Sequence, residues 1–101
     1  MSTTIHVGTA VKGPQEKRRF VMDWSAHLEA NRYLANSAWS SSNGALVIDS
    51  SGMVEGNTST YVVVTGGVVG QSYVLTNTVH STHEGVTEIW QRSGRVDVRA
   101  V

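Results

Sequence analysis

The chain contains no cysteine and only one proline in its 101 residues. Without cysteine it can form neither disulfide bonds nor thiolate metal sites, so its stability must come from apolar packing and backbone pairing. The same absence favours folding in a reducing cytoplasm. At this length the chain has room for a single hydrophobic core.

An excess of charge of one sign is also lacking. Lys plus Arg and Asp plus Glu each total 8, which gives a net charge of zero. This balance argues against nucleic acid or an anionic membrane as the partner, because both attract strongly basic proteins. There is no basic segment followed by an apolar run at the N-terminus, and no run approaches the ~18 consecutive apolar residues that span a bilayer. We therefore expect a soluble protein that is synthesised in the cytoplasm.

Valine, threonine and serine dominate the residues that are present. Phe20, Met22 and Trp24 alternate with Val21 and Asp23, and this period of two predicts a strand with one buried face. Further short β-branched segments follow at intervals of about 8 to 12 residues, separated by glycine and serine turns. The pattern predicts an all-β fold, namely an immunoglobulin-like two-sheet antiparallel β-sandwich of about seven strands with an extended N-terminal arm.

Several positions have specific expectations within this fold. Trp39 lies where such sandwiches bury a tryptophan, and Tyr73 follows a glycine turn as a tyrosine corner does, so we expect both in the core. One short helical turn is expected within residues 25–32. The last segment, residues 86–101, is expected to split at Ser93-Gly94 in a turn or a bulge.

The N-terminal segment, residues 1–19, lacks sustained periodicity and is predicted to be an extended arm before a sandwich domain of residues 20–101. It concentrates half of the basic residues, and we expect it to contribute more to assembly than to the stability of its own domain. These basic side chains could form a solvated entrance to the first strand or a charged contact with an acidic partner protein. They are Lys12, Lys17, Arg18 and Arg19.

The sequence shows no catalytic apparatus. It has no cysteine nucleophile, no nucleophile elbow and no phosphate-binding glycine loop before a helix. His80 and His83 are three residues apart in a predicted strand, so they should point to opposite faces rather than share a metal. We expect no catalytic residue, no metal site and no cofactor, and we predict that the protein is not an enzyme.

Three tryptophans are a large apolar content for so small a protein. Trp90 lies on an expected edge strand and is the best candidate for an interface anchor, with plain burial as the alternative. Trp24 is the second candidate. If both rings were exposed they could form a sugar-stacking platform, so a carbohydrate-binding β-sandwich is the alternative function. A secreted adhesion or chaperone-like immunoglobulin domain is disfavoured by the missing signal sequence.

Several motifs together resemble the phage fibre–tail adaptor family. Residues 12–16 read Lys-Gly-Pro-Gln-Glu, and residues 20–25 follow as an aromatic-x-apolar-Asp-Trp-Ser strand. Ser37-Ala38-Trp39, a glycine turn at residues 66–70 that leads to Tyr73, and a final Val-x-Val strand follow in the order of that family. The resemblance covers nearly the whole chain from Val11 onward.

This resemblance implies a structural protein of the virion tail, present in several copies, that attaches fibres to the tail after synthesis in the host bacterial cytoplasm. The implied partners are phage tail proteins (tube, nozzle or adaptor), the tail fibre and copies of the chain itself in a ring-like assembly, with no nucleic acid and no membrane. The segment 17–19 is more basic than the family pattern, which bears on the identity of the partner. The predicted protein-binding residues are Lys12, Pro14, Lys17, Arg18, Arg19, Asp23, Trp24 and Trp90.

Overall fold

The computed structural model describes residues 2–4, 9–28, 32–54 and 56–100. These residues form eight strands and one short 3₁₀ helix at Ser25–His27, which confirms the all-β prediction. The helical turn expected within residues 25–32 begins here, and residues 29–31 lie outside the described part. The strands are β1 Ser2–Thr4, β2 Thr9–Lys12, β3 Arg18–Asp23, β4 Leu34–Ser41, β5 Leu46–Met53, β6 Ser59–Gly66, β7 Ser72–His83 and β8 Val86–Val98.

The strands form two four-stranded sheets, in the orders β1-β3-β6-β5 and β2-β8-β7-β4. In the letters of the immunoglobulin fold, β3, β6 and β5 take the places of B, E and D, and β8, β7 and β4 take those of G, F and C. The first strand of that fold is divided here, so that β1 lies on one sheet and β2 on the other. Both N-terminal strands pair in parallel, while the remaining pairs are antiparallel. The immunoglobulin-like sandwich is therefore confirmed.

The core lies between the sheets and is filled by alternate residues of the long strands. On β3 the buried positions are Phe20 and Met22, as their alternation predicts. On β6 and β8 the buried side chains are mainly valines, because β-branched residues pack well on a pleated surface. Tyr73 is also buried, and its hydroxyl accepts a hydrogen bond from the Val68 N–H at 2.9 Å. The predicted tyrosine corner is thus confirmed.

The buried tryptophan of the sandwich is Trp24, not Trp39. Trp24 follows β3 and enters the space between the sheets, where its side chain is 1% exposed. Trp39 points inward from β4, but β4 is an edge strand, so this ring is only partly covered and packs against the margin of the core. The prediction that Trp39 is a core residue is therefore wrong.

A buried amide joins the two sheets. The Asn77 Oδ1 atom on β7 accepts hydrogen bonds from Trp24 Nε1 at 2.8 Å and from Thr60 Oγ1 at 2.6 Å. Its Nδ2 atom donates to Ser37 Oγ and to the Ala38 carbonyl, both at 3.0 Å on β4. Asn77 is fully buried and makes four hydrogen bonds, which is the full capacity of its amide group.

The N-terminal segment is extended, and its described strands pair with the sandwich. β2 lies beside Arg95–Val98, and Lys12 is fully buried. The Lys12 ammonium donates to the carbonyls of Gly13 at 2.6 Å and Gly66 at 2.7 Å. Burial lowers the pKa of Lys12 below its usual value because the charged form loses its hydration. The action of residues 1–19 as an assembly arm stays a prediction, but Lys12 contributes to the packing of its own domain.

β7 and β8 form one long hairpin. Its two-residue turn consists of Glu84 and Gly85, whose φ angles of 52° and 79° match a type I′ turn. The expected break at Ser93-Gly94 is wrong, because the pairing runs in one unbroken register and Gly94 lies opposite Leu75. At ~3.3 Å per residue the 12 residues of β7 extend about 40 Å. β4 accompanies β7 only as far as Ser81, so the tip of the hairpin projects past its neighbour.

Removal of the Asn77 amide should destabilise the whole domain. In Asn77→Ala, the Trp24 and Thr60 donors would remain buried without their acceptor, at a cost of about 1–3 kcal/mol each. We expect a loss of at least about 2 kcal/mol in urea unfolding. Thr78→Ala is the matched control, since Thr78 is adjacent but faces outward and should change stability by less than about 0.5 kcal/mol. Equal stability losses in the two variants would refute the role of Asn77.

Trp24 and Trp39 should also differ in their contributions to stability. Trp24→Ala opens a cavity in the centre of the core and is expected to cost about 3–5 kcal/mol. Trp39→Ala removes a partly exposed ring at the sheet margin and should cost less than half as much. Thermal unfolding of the two variants followed by circular dichroism tests this order, and a larger loss for Trp39→Ala would contradict it.

Candidate docking surfaces

The predicted binding residues Trp24 and Trp90 contact each other inside the protein. Their rings stack with centroids 6.1 Å apart and an interplanar angle of 26°. The Arg92 guanidinium lies 5.0 Å from the Trp24 centroid, and Arg32 lies 5.6 Å from the Trp90 centroid. The buried Trp24 therefore cannot anchor a partner through its ring, and Trp90 is partly buried against the core. Neither forms an open aromatic platform.

Arg32 fixes the connection before β4 onto the hairpin. Its guanidinium donates to the Ser81 hydroxyl and carbonyl oxygens, both at 3.0 Å, and lies 2.8 Å from the Glu88 carboxylate. Arg32 is buried, whereas Glu88 is half-exposed. These contacts hold the hairpin at Ser81 and Glu88 against the connection before β4.

The basic residues of segment 12–19 do not form one patch. Lys17 pairs with Asp49 at 3.4 Å, and Arg18 lies 3.7 Å from Glu16. Arg19 faces the outer side of the β1-β3-β6-β5 sheet, where its guanidinium lies 4.6 Å from the centroid of Tyr61. Each of these side chains thus has its own contact within the chain.

Pro14 and Asp23 shape local turns. Pro14 lies in a turn closed by the Glu16 N–H donating to the Gly13 carbonyl at 3.2 Å. Asp23 accepts a hydrogen bond from the Ser25 N–H at 2.8 Å and so supports the start of the 3₁₀ helix. Pro14 thus belongs to a local turn, and the Asp23 carboxylate is bound within its own chain.

The outer face of the β7–β8 hairpin is uncharged over most of its length. Thr76 and Ser93 hydroxyls lie 2.8 Å apart, and the Thr82 and Thr87 hydroxyls are equally close. The alternation of serine and threonine along β7 could have indicated this face from the sequence. Such hydroxyl pairs stabilise the sheet and leave a surface that a protein partner can cover at low desolvation cost.

A second surface, which we call the arginine–valine patch, was missed at the sequence level. It consists of Val11, Val74, Arg95, Asp97 and Arg99, brought together by the pairing of β2, β8 and β7. Both valines are 41% exposed, although each lies in a strand. The Arg95 and Arg99 side chains are 56% and 64% exposed. The signal was the Arg-Val-Asp-Val-Arg repeat of residues 95–99, whose alternate residues share one face.

Asp97 organises this patch. Its carboxylate accepts hydrogen bonds from Arg95 Nε at 2.9 Å, Arg99 Nη2 at 3.3 Å and Ser72 Oγ at 2.6 Å. The hydrogen bond from Arg95 is the main cause that lowers the pKa of Asp97 to about 2, and that from Ser72 acts in the same direction. The carboxylate stays ionised and holds both guanidinium groups in place while much of their surface remains accessible.

The lowered pKa of Asp97 predicts a pH-dependent contribution to stability. A carboxyl whose pKa falls on folding stabilises the native state above its unfolded pKa of 3.8, and this contribution is lost as pH falls toward 2. We expect Asp97→Asn to be less stable than the wild type at pH 7, with the difference shrinking as pH falls from 4 toward 2. Urea unfolding across this range tests the prediction, and a constant difference would contradict it.

No group of three or more His, Asp or Glu side chains suited to a metal ion occurs among the described residues. In the described ranges, no helix is long and apolar enough to cross a membrane. His80 and His83 lie on β7 three positions apart, and His83 faces Glu84 at 3.8 Å. The exposed surfaces described above are the outer face of the β7–β8 hairpin and the arginine–valine patch.

The described residues form an immunoglobulin-like β-sandwich of two four-stranded sheets. The family model described as podophage GP4 fiber-tail adaptor protein gp77 matches residues 12–96. The chain belongs to this phage fibre–tail adaptor family, as its motifs suggested. The family implies a structural adaptor role, a location in the virion tail and binding to phage tail and fibre proteins. No curated protein and no solved structure matches the chain.

Proposed function

We propose that this protein attaches fibres to the phage tail as a non-catalytic structural component present in several copies around the tail. The observation that carries the proposal is the family match over residues 12–96, which begins in β2 and ends in β8. It spans the sandwich, so the adaptor role belongs to this domain. Synthesis in the host cytoplasm precedes incorporation into the virion. The balanced charge favours protein partners over nucleic acid or membrane.

The arginine–valine patch is the surface that we assign to a tail or fibre protein. Arginine is enriched at protein interfaces, and a charged residue held in place before binding loses less entropy when the complex forms. Asp97 holds Arg95 and Arg99 in this way, while Val11 and Val74 add apolar area beside them. The two arginines exceed the one carboxylate of the patch, so the complementary surface carries acidic residues.

The geometry gives less support to the alternative of carbohydrate binding. A sugar-stacking platform needs exposed aromatic faces, but Trp24 is buried and the Trp90 ring contacts Trp24 and Arg32. Protein binding through the arginine–valine patch does not require either tryptophan ring to be exposed.

The proposal is tested with particles that carry variants of this protein. Arg95→Ala/Arg99→Ala should reduce its incorporation into tails, and its affinity for the purified tail or fibre partner, by at least about tenfold, or about 1.4 kcal/mol. Binding by the wild type should weaken as salt rises, because the contact is charged. Lys17→Ala is the comparison, since it removes one exposed cation that the sequence predicted for binding but that lies outside the patch.

The expected result is normal incorporation of Lys17→Ala and loss of the double variant, with both variants remaining folded in a thermal melt. Absence of the wild-type protein from purified tails would overturn the adaptor function. Normal incorporation and binding of the double variant would overturn the assignment of the patch.

A further inference from the structure

β8 presents a long strand edge on the side away from β7. β2 covers only its last part, pairing with Arg95–Val98. No other described strand lies beside Val86–Gly94 on that side. Among the described residues, the edge of Val86–Gly94 that faces away from β7 therefore carries no paired strand.

The hydrogen-bonding directions identify the groups at this edge. The Val98 N–H donates to Gln71 on the β7 side, whereas the Arg99 N–H donates to Lys12 on the β2 side. Backbone groups alternate in this way along a regular antiparallel strand, and the β7–β8 register has no shift. The groups that point away from β7 therefore belong to Thr87, Ile89, Gln91 and Ser93.

Three features that normally prevent edge pairing, a register shift, lysine and proline, are absent from this segment, whose two charges are Glu88 and Arg92. β4 has a register shift between Leu34 and Asn36, and β5 has one between Ile48 and Ser50. Such irregularities, lysines and prolines protect strand edges. Residues 86–94 contain no lysine and no proline, and Ile89 is 63% exposed. By these criteria the β8 edge is suited to accept a strand.

We propose that this edge pairs antiparallel with the β8 edge of a second copy of the chain, around a two-fold axis at Trp90. The outward groups belong to odd-numbered residues, so only registers that place odd residues opposite odd residues can form hydrogen bonds. In the register centred on Trp90, Glu88 lies opposite Arg92 of the second copy, and the symmetry repeats this pair. The carboxylate of Glu88 is half-exposed beside Arg32 and can accept further hydrogen bonds.

Registers centred one residue earlier or later lose this complementarity. Centred on Ile89, the pairing sets Glu88 against Trp90 of the second copy. Centred on Gln91, it sets Glu88 against Gly94. Of the three registers, only the one centred on Trp90 sets opposite charges against each other. This charge match favours a second copy as the occupant of the edge.

The resulting dimer has one continuous sheet built from the two β2-β8-β7-β4 sheets. Its contact contains about eight backbone hydrogen bonds, from Thr87 to Ser93 of each copy. The inference rests on the proposed presence of several copies, but its test requires only the isolated protein. Its failure would leave fibre–tail attachment untouched.

Cysteine cross-linking tests the register, because the natural chain has no cysteine. Thr87 should lie opposite Ser93 of the second copy, at the ~5.5 Å Cα separation that a disulfide can bridge. A mixture of Thr87→Cys and Ser93→Cys proteins should form a disulfide-linked dimer under mild oxidation. Each variant alone should cross-link at no more than about a tenth of that yield, since its own cysteines are roughly 20 Å apart in the dimer.

Sedimentation velocity tests the edge itself. The wild type should be dimeric at high micromolar concentration, and Ile89→Pro should be monomeric, because proline removes an outward N–H that β7 does not use. Ile89→Thr keeps that N–H and should remain dimeric. A wild type that stays monomeric up to about millimolar concentration, or one that pairs only with a fibre or tail protein, would overturn the proposal. The proposal would also be overturned if the wild type were dimeric but the mixture of Thr87→Cys and Ser93→Cys proteins did not cross-link. This test holds even if Ile89→Pro fails to fold.

Discussion

The buried amide of Asn77 is the interaction on which the rest of the sandwich depends. An amide buried in the core is costly unless its donors and acceptor are satisfied. Here two donors from the β3–β6 side and two acceptors on β4 satisfy it completely. Only one alignment of the two sheets makes all four hydrogen bonds, so a polar group in the core specifies how the apolar faces meet.

The position of Trp24 follows from this network and determines which surfaces remain open. Because Asn77 accepts the Trp24 N–H, the indole lies between the sheets and its ring provides a support for Trp90. Arg32 then joins the connection before β4 to the hairpin through Ser81 and Glu88. Because of these contacts, the rings of Trp24 and Trp90 pack within the chain. The edge of β8 and the arginine–valine patch, which follow one another along the same strand, remain for neighbours.

Several elements could be predicted because their signals are local. The alternation at Phe20 and Met22, the valine run of β6 and the glycine turn before Tyr73 each lie within a few residues, and the structure confirms them. The wrong predictions concern positions whose structure depends on strands far away in the sequence. A serine and a glycine favour a turn locally, yet Ser93 and Gly94 continue a strand because β7 pairs with them throughout. Trp39 matches the sandwich pattern but lies on an edge strand, which no local pattern reveals.

By itself the sequence determined the fold class, the approximate strands and the adaptor family, because residue periodicity and short motifs carry that information along the chain. The tertiary structure alone decided which tryptophan is buried, that Lys12 packs inside, and that Lys17 and Arg19 contact Asp49 and Tyr61. It also brought Val11 and Val74 beside Arg95 and Arg99. These outcomes depend on pairing between strands far apart in the chain, where cross-strand neighbours rather than sequence neighbours set the environment of each side chain.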